Sequence, residues 1–293
     1  MVTVRHILRD KKILSCIAPL DLELILSLAT NRPREYLFAH PEQKLSLKEL
    51  DKFNSFLIRR KKGEPIAYMT GKKEFYGLEF EVNRNVLIPR PETELLVEKA
   101  LDLVPEVEPL TVIDVGTGSG NIIISVVENL PANIRKKIDF YATDVSKKAL
   151  FKTKNNAQKH KVAQYIKFIR SDLLEYFLKK KTKFENLLIV ANLPYVSASI
   201  YKKNIRNLRY EPELALISAE KGLGHYRRLL RQIAEIKSDY ALRIICFAEI
   251  SPEQKNGLAK IMKDELPEAK TNFVKDLSGR NRVVKIKINR ASN

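Results

Sequence analysis

The apolar positions of this chain change their period near residue 74. Before that point they recur at helical spacing, as in Asp21-Leu-Glu-Leu-Ile-Leu-Ser-Leu-Ala29. Ser46, with Glu49 three residues later, forms a capping box that predicts a helix running to about Lys61. Residues 1–73 are therefore predicted to form a small all-α bundle domain.

A strand pattern follows. Residues 78–82 alternate apolar and acidic side chains, 83–85 are turn-like, and 86–88 are apolar again. We predict a β-hairpin linker over residues 74–88, and a helix from Glu94 to about Leu103 after the break at Pro89 and Pro91.

Strands and helices then alternate through residues 89–293. The pattern predicts strands at 111–115, 138–143, 165–169, 187–191, 243–250, 271–275 and 282–288, and helices at 119–130, 146–160, 223–237 and 252–263. Repeated strand–helix units imply a parallel sheet with helices on both faces. The last two strands are too close in the chain for a helical crossover, so they are predicted to pair antiparallel.

The composition limits the classes of protein. A chain of 293 residues with 44% hydrophobic content suits one large domain, or a core domain with a small one. Cys16 and Cys246 form no disulfide or metal pattern, and the four histidines have no ligand spacing, so we expect a cytoplasmic protein without a metal. Because the first twelve residues are charged and no apolar run is long enough for a span, neither a secretory signal nor a membrane partner is expected.

The net charge of +18 has two interpretations, to which we give equal weight. Such a field attracts nucleic acid or the ribosome, but scattered lysines also arise without any function. The densest basic clusters, 59–62 and 179–181, contain no aromatic residue on which a base could stack.

A glycine-rich turn, Asp114-Val-Gly-Thr-Gly-Ser-Gly120, joins a predicted strand to a predicted helix. Glycines let a ligand approach the backbone, and ligands of such sheets bind beyond the carboxyl ends of the strands. Asp144 and Asp172 end the next two strands in further carboxylates. Each acid alone could simply cap the following helix, but all three together favour a ligand site.

Seven strands with this turn resemble the class I, Rossmann-like methyltransferase fold and its S-adenosylmethionine site. The resemblance implies Asp114 near the methionine end of the cofactor and Asp144 on the ribose hydroxyls, with Asp172 and Leu173 around the adenine. It places five further residues beneath the cofactor: Gly116, Thr117, Gly118, Ser119 and Gly120.

A second motif, Asn192-Leu193-Pro194-Tyr195, follows the apolar strand at 187–191. It suits a planar NH2 group: the Asn192 Oδ1 can accept one N–H, the carbonyl of Leu193 or Pro194 the other, and Tyr195 offers an aromatic face to developing positive charge. We therefore predict these four residues as catalytic and substrate-binding, with Asn192 also beside the cofactor. Amino-nitrogen methyltransferases of this fold usually have Asn-Pro-Pro-Tyr, so Leu193 departs from the pattern.

Longer stretches identify a family. Several stretches closely resemble the HemK/PrmC family, the protein-(glutamine-N5) methyltransferases of peptide chain release factors: residues 35–42, 63–80, 86–94, 210–212 with 215–216, 222–223 and 276–282. The resemblance implies a role in translation termination, with the Gly-Gly-Gln glutamine of release factors 1 and 2 as the substrate and the helical domain gripping the factor. It also implies that Arg90 and Glu92 either bind the peptide or lock an interdomain hinge through an ion pair.

Two other hypotheses remain open. A nucleic-acid amino-group methyltransferase, acting on adenine or guanine, shares the Asn192 motif, and the positive charge favours it. A non-enzymatic ribosome- or RNA-binding protein is the third, although the intact glycine turn and Asn192 count against it.

Overall fold

The computed structural model describes residues 2–104, 110–239 and 241–289. The chain divides into two compact units. One comprises Met1–Lys72 with Asn204–Tyr210, and the other comprises Lys73–Lys203 with Glu211–Asn293.

The first unit is helical. Its core buries Ile25, Leu26 and Phe53. Ser46 forms the predicted capping box with Glu49, since the Glu49 N–H donates to the Ser46 hydroxyl at 3.3 Å and the Ser46 N–H donates to the Glu49 carboxylate at 2.8 Å. Its helices are α1 (Val4–Leu8), α2 (Lys11–Leu14), α3 (Pro19–Thr30), α4 (Arg34–Ala39), α5 (Leu47–Lys61), α6 (Ile66–Thr70) and, by its place in the chain, α13 (Ile205–Leu208).

Residues 204–210 belong to this helical unit, although the sequence analysis placed them in the C-terminal domain. Arg209 donates a hydrogen bond to the carbonyl of Lys62. At Gly63, where φ is +95°, an added Cβ would lie 2.8 Å from the carbonyl oxygen of Arg206. The sequence around these residues shows no periodicity from which this packing could be inferred.

The second unit contains a seven-stranded sheet in the order β5-β4-β3-β6-β7-β9-β8. All seven predicted strands are confirmed to within three residues at their ends. The last two, β8 and β9, pair antiparallel as expected, and β9 also pairs antiparallel with β7. The strands are β3 (Leu110–Val115), β4 (Ile138–Asp144), β5 (Ile166–Arg170), β6 (Phe184–Ala191), β7 (Ala241–Glu249), β8 (Lys270–Lys275) and β9 (Asn281–Asn289).

Strand order reverses at β3. The chain runs outward from β3 through β4 to β5, then returns to place β6 on the other side of β3. In the two parallel ladders Val115 pairs with Thr143 of β4 and with Ala191 of β6. A crevice for a ligand is expected where parallel strand order reverses, beyond the carboxyl ends of these strands.

Apolar side chains cover both faces of the sheet. Val112 belongs to one buried cluster and the next residue, Ile113, to another, as alternation along a strand requires. The flanking helices are α7 (Glu94–Leu103), α8 (Asn121–Asn129), α9 (Ala132–Arg135), α10 (Lys147–Lys159), α11 (Glu175–Lys179), α12 (Ala198–Lys203), α14 (Ala219–Gly222), α15 (Gly224–Asp239) and α16 (Lys255–Glu265).

Two elements differ from expectation. The hairpin pairs β1 (Lys72–Phe75) with β2 (Leu78–Glu81) about a turn at Tyr76 and Gly77, whereas residues 86–88 form no strand. The side chains of Val86 and Ile88 are buried, so their apolar character reflects packing and not pairing. The helix expected at 252–263 is a 3-10 turn, Pro252–Gln254, followed by α16.

No helix among the described residues is both long and apolar enough to cross a membrane.

Candidate active site

A cleft of about 1160 Å³, its open mouth included, lies in the second unit beyond the carboxyl ends of β3, β4 and β6. Most of the residues predicted for the site line this cleft: Arg90, Gly116, Thr117, Gly118, Ser119, Asp144, Asp172, Leu173, Asn192, Leu193 and Pro194. Glu92, Asp114, Gly120 and Tyr195 are not among the lining residues.

The glycine-rich turn wraps over the end of β4. The backbone N–H groups of Gly116 and Thr117 both donate to the carbonyl of Thr143 at 2.9 Å. Gly116 and Gly118 have φ of +73° and +57°, a region that other residues enter only with strain. The turn therefore needs its glycines, and it presents bare backbone to the cleft.

Helix α10 holds this turn from behind. The Thr153 hydroxyl donates to the carbonyl of Gly118 at 3.0 Å. The buried Asn156 amide donates to the carbonyl of Ser119 at 2.8 Å and also exchanges hydrogen bonds with the backbone of Glu81 in β2. A Cβ at Gly120 would lie 2.6 Å from Thr153 Cγ2, so Gly120 is needed for close packing against α10, and its contact with a ligand stays a prediction.

Asp114 lies beneath the turn, fully buried. Its Oδ2 accepts a hydrogen bond from the Thr117 hydroxyl at 2.7 Å, while its Oδ1 is buried without a hydrogen bond in the described structure. Burial raises the pKa of this carboxyl to about 7. Asp114 therefore supports the turn through Thr117, and direct contact with a ligand stays a prediction.

Asp144 and Asp172 stand on the cleft wall. Asp144 accepts from the Gly118 N–H at 3.0 Å and from the Ser146 N–H at 2.8 Å, yet burial raises its pKa. Asp172 forms an ion pair with Arg228 of α15, and Leu173 beside it adopts a left-handed φ of +53°. The two acids and Leu173 thus line one end of the cleft together.

Asn192 is held by a chain of hydrogen bonds. Its Nδ2 donates to the Thr93 hydroxyl at 3.0 Å, and that hydroxyl donates to Oε2 of Glu249 at 2.6 Å. Thr93 and Glu249 are each 1% exposed. The Asn192 Oδ1 has no hydrogen-bond partner in the part of the chain that the structure describes. The amide thus offers one unused acceptor beside the cleft.

The other end of the motif is fixed through its backbone. Gln254 donates to the carbonyl of Tyr195 at 3.1 Å and to that of Gly222 at 3.0 Å. Leu193, only 2% exposed, packs so that its Cδ2 would lie 3.4 Å from a Cβ at Gly116. Burial raises the pKa of the Tyr195 phenol to about 12, so the phenol stays neutral. The Asn192 motif and the glycine turn are therefore packed against each other through Leu193.

Arg90 and Glu92 lie in different environments. Arg90 forms an ion pair with the buried Glu211, which also accepts from the backbone N–H of Ile88 at 3.1 Å. Glu92 is exposed. Arg90 thus anchors the segment leading to Thr93.

The sequence analysis assigned no role to Thr93, Glu249, Gln254 or Asn156. Glu249 carried a usable signal, because it ends a buried strand at the same sheet edge as Asp144. Thr93 and Gln254 carried none, since short polar residues in a turn are common without any function.

Comparisons with known proteins agree with this architecture. Residues 4–71 match the PrmC N-terminal domain, and residues 107–268 match a methyltransferase domain. A release factor glutamine methyltransferase of Koribacter versatilis is 37% identical over 268 residues, which cover 90% of this chain and 89% of the relative. The solved N-terminal domain of human METTL16 in complex with SAH is 17% identical with a TM-score of 0.51, covering 84% of this chain and 83% of that one, and shows the fold alone.

A bifunctional methyltransferase of Rickettsia bellii is 34% identical over 296 residues, which cover 92% of this chain but 51% of the relative. The chain therefore spans about half the length of such bifunctional relatives.

Sheet order, glycine turn and Asn192 motif together define a Rossmann-like, S-adenosylmethionine-dependent methyltransferase. The bare backbone of the turn and the acids on the wall of the cleft fit this methyl donor. By its similarity to relatives covered over most of their length, the chain belongs to the release factor glutamine methyltransferase family. The resemblance seen in the sequence is thereby confirmed.

Proposed function

We propose that this protein methylates the side-chain amide nitrogen of the glutamine in the Gly-Gly-Gln motif of release factors 1 and 2. The observation that carries the proposal is the unpartnered Oδ1 of Asn192, fixed at the carboxyl end of β6 and directly beside the glycine turn. Residues 4–71 match the PrmC N-terminal domain, and we assign this helical unit to gripping the factor.

An amide nitrogen is a poor nucleophile because its lone pair is delocalised into the carbonyl. In our proposal the Asn192 Oδ1 accepts one N–H of the glutamine, and the backbone carbonyl of Leu193 or Pro194 accepts the other. When both N–H groups of the glutamine amide are held by acceptors, its nitrogen can become pyramidal, with its lone pair toward the methyl donor. Tyr195, whose phenol stays neutral, does not line the cleft, so its role toward the developing positive charge stays a prediction.

S-adenosylmethionine, when bound, supplies an electrophilic methyl group on a sulfonium. With the donor bound, its methyl group would pass to the amide nitrogen as the S–C bond breaks, and one amide proton would leave to water. The residues of this chain contribute alignment, which alone is worth several orders of magnitude in rate. We assign the donor side of the cleft to Gly116 through Ser119, Asp144, Asp172 and Leu173, with Asp114 holding the turn through Thr117.

The excess positive charge suits an acidic surface of the protein substrate, and nucleic acid or the ribosome is not required for the reaction. A nucleic-acid substrate is the competing assignment, and the test below includes it.

The test is mass spectrometry of purified release factors 1 and 2 after incubation with the enzyme and S-adenosylmethionine. We expect one added methyl group, on the Gly-Gly-Gln glutamine of each factor. Asn192→Ala should abolish the transfer while leaving the cofactor affinity, measured by calorimetry, within about threefold. Labelled methyl groups appearing in RNA or DNA, with none in either factor, would overturn the assignment.

A further inference from the structure

We propose that Thr93 and Glu249 are positioning residues that set the orientation of the Asn192 side-chain amide, so that Oδ1 and not Nδ2 faces the methyl-accepting group. The inference rests on the function proposed above and extends it to two residues outside the Asn192 motif. It starts from the hydrogen-bond chain Asn192–Thr93–Glu249.

Counting the available protons shows which group donates and which accepts in each of these two hydrogen bonds. A carboxylate only accepts hydrogen bonds, and a threonine hydroxyl has a single proton to donate. With Glu249 ionised, that proton of Thr93 is committed to Glu249 at 2.6 Å. The Thr93 oxygen can then only accept from Asn192, so it selects Nδ2, and Oδ1 becomes the free acceptor.

Both positioning residues are buried well enough to enforce this choice. Each is 1% exposed, so water cannot replace a lost partner. Thr93 closes the 3-10 turn Pro91–Thr93, which the ion pair of Arg90 with Glu211 anchors. Glu249 ends β7, and the Tyr226 hydroxyl donates to its backbone carbonyl. Two separate elements therefore fix the hydroxyl and the carboxylate independently of Asn192.

Protonation of Glu249 would exchange donor and acceptor in both hydrogen bonds. A neutral Glu249 can donate to Thr93, whose own proton then turns to Asn192 and selects Oδ1, leaving an NH2 group toward the substrate. The charged and titratable groups that act on Glu249 are Glu92 of the 3-10 turn, Tyr195 after β6, Tyr226 of α15 and Arg282 of β9. Arg282 favours the carboxylate, and Glu92 opposes it.

The first test compares Thr93→Val with Thr93→Ser. Valine keeps the shape of threonine without the hydroxyl, whereas serine keeps the hydroxyl. We expect Thr93→Val to lower kcat for release factor about 10- to 100-fold with little change in the KM for S-adenosylmethionine, and Thr93→Ser to stay within about threefold of wild type. Thr111→Val is the control: it removes the hydroxyl of a half-buried threonine near the amino end of β3, away from the cleft, and should leave kcat unchanged. A Thr93→Val enzyme with wild-type kcat would overturn the proposal.

A pH profile tests the role of the Glu249 charge with a substitution that keeps a side chain of the same shape at that position. Glu249→Gln still offers an oxygen to Thr93 but cannot titrate. We expect the wild-type kcat to fall as the pH drops below neutrality. Glu249→Gln, whose amide can donate to Thr93 as well as accept from it, should have a lower kcat at neutral pH and no acid limb. An identical acid limb in both enzymes would count against the carboxylate.

A substrate-free measurement separates this inference from the proposed function. The side-chain NH2 resonances of Asn192, assigned by their loss in Asn192→Asp, report its hydrogen bond in the ¹⁵N-labelled whole protein. We expect slow NH2 proton exchange in wild type and Thr93→Ser, and faster exchange in Thr93→Val. Equal exchange in all three proteins would refute the chain, even if release factor is methylated. If release factor is not methylated, this measurement still decides the orientation. Thermal unfolding of each variant verifies that it is folded.

Discussion

The carbonyl of Tyr195 lies so close to Gly222 that a Cβ on that glycine would stand 2.2 Å from its oxygen. Gly222 also has φ of +94°, in the left-handed region. The end of the Asn192 motif is therefore set by close backbone contact with a residue 27 positions later in the chain, together with the hydrogen bond from Gln254.

Gly222→Ala should displace Tyr195 and cost activity. We expect at least about a 100-fold loss of kcat and a lower free energy of unfolding by roughly 2–4 kcal/mol, from backbone strain together with the steric clash. Gly279→Ala is the matched control, because Gly279 has φ of +78° but nothing within 4 Å of an added Cβ. It should lose only about 1–2 kcal/mol and keep its kcat. Equal kinetics for the two variants would contradict the steric argument.

Leu193 stands where relatives of this fold usually have proline, and its side chain packs beside the glycine turn. Leu193→Ala should open a cavity costing about 2–4 kcal/mol of unfolding free energy and weaken S-adenosylmethionine binding several-fold. Leu214 also lines the cleft but is 57% exposed. Leu214→Ala should therefore change stability by less than about 1 kcal/mol. Chemical denaturation and calorimetry measure both effects.

Removing the Arg90 side chain should leave the Glu211 carboxylate buried without its cation. We expect Arg90→Ala to lower the free energy of unfolding by roughly 1–3 kcal/mol and to reduce kcat, because the turn that carries Thr93 loses its anchor. Lys99→Ala breaks an exposed ion pair with Asp102 and should cost less than about 0.5 kcal/mol. Comparable losses in the two variants would mean that Arg90 is only a surface charge.

Stability should fall as the pH rises through neutrality. Burial raises the pKa of Asp114 and Glu249 from 3.8 and 4.5 to about 7 in both cases. The folded state then binds protons more tightly than the unfolded state, so the associated stability is complete below about pH 4 and is lost as the pH rises to about 7. For Glu249 the loss is roughly 3 kcal/mol. Glu249→Gln should flatten the dependence of the unfolding free energy on pH, and an unchanged slope would argue against a buried ionised carboxylate.

Much of the fold could be predicted from the sequence because its strands are buried and apolar. The runs at 111–115 and 187–191 have partners on both sides, so their pattern is unambiguous. Val86 and Ile88 misled the prediction, since burial against the core leaves the same apolar signature as strand pairing.

The site was predicted only where chain neighbours act together. The glycine turn and the Asn192 motif are contiguous, so their pattern is visible in one segment. Thr93 meets Asn192 across 99 positions of the chain and Glu249 meets Thr93 across 156, so only the fold brings the three residues together. No local pattern encodes such a contact.

The pairing of Val115 with Ala191 has a consequence for how this enzyme class changes substrate. The glycine turn begins directly after Val115, and Asn192 directly after Ala191. Because these two residues are paired on adjacent strands, the backbones of the two segments start about 4.8 Å apart, which is one strand spacing. Backbone pairing inside the core maintains that spacing, whatever surrounds the mouth of the cleft. A lineage can therefore exchange the domain that selects its target, or alter the loops around the cleft, while the transfer geometry is inherited unchanged.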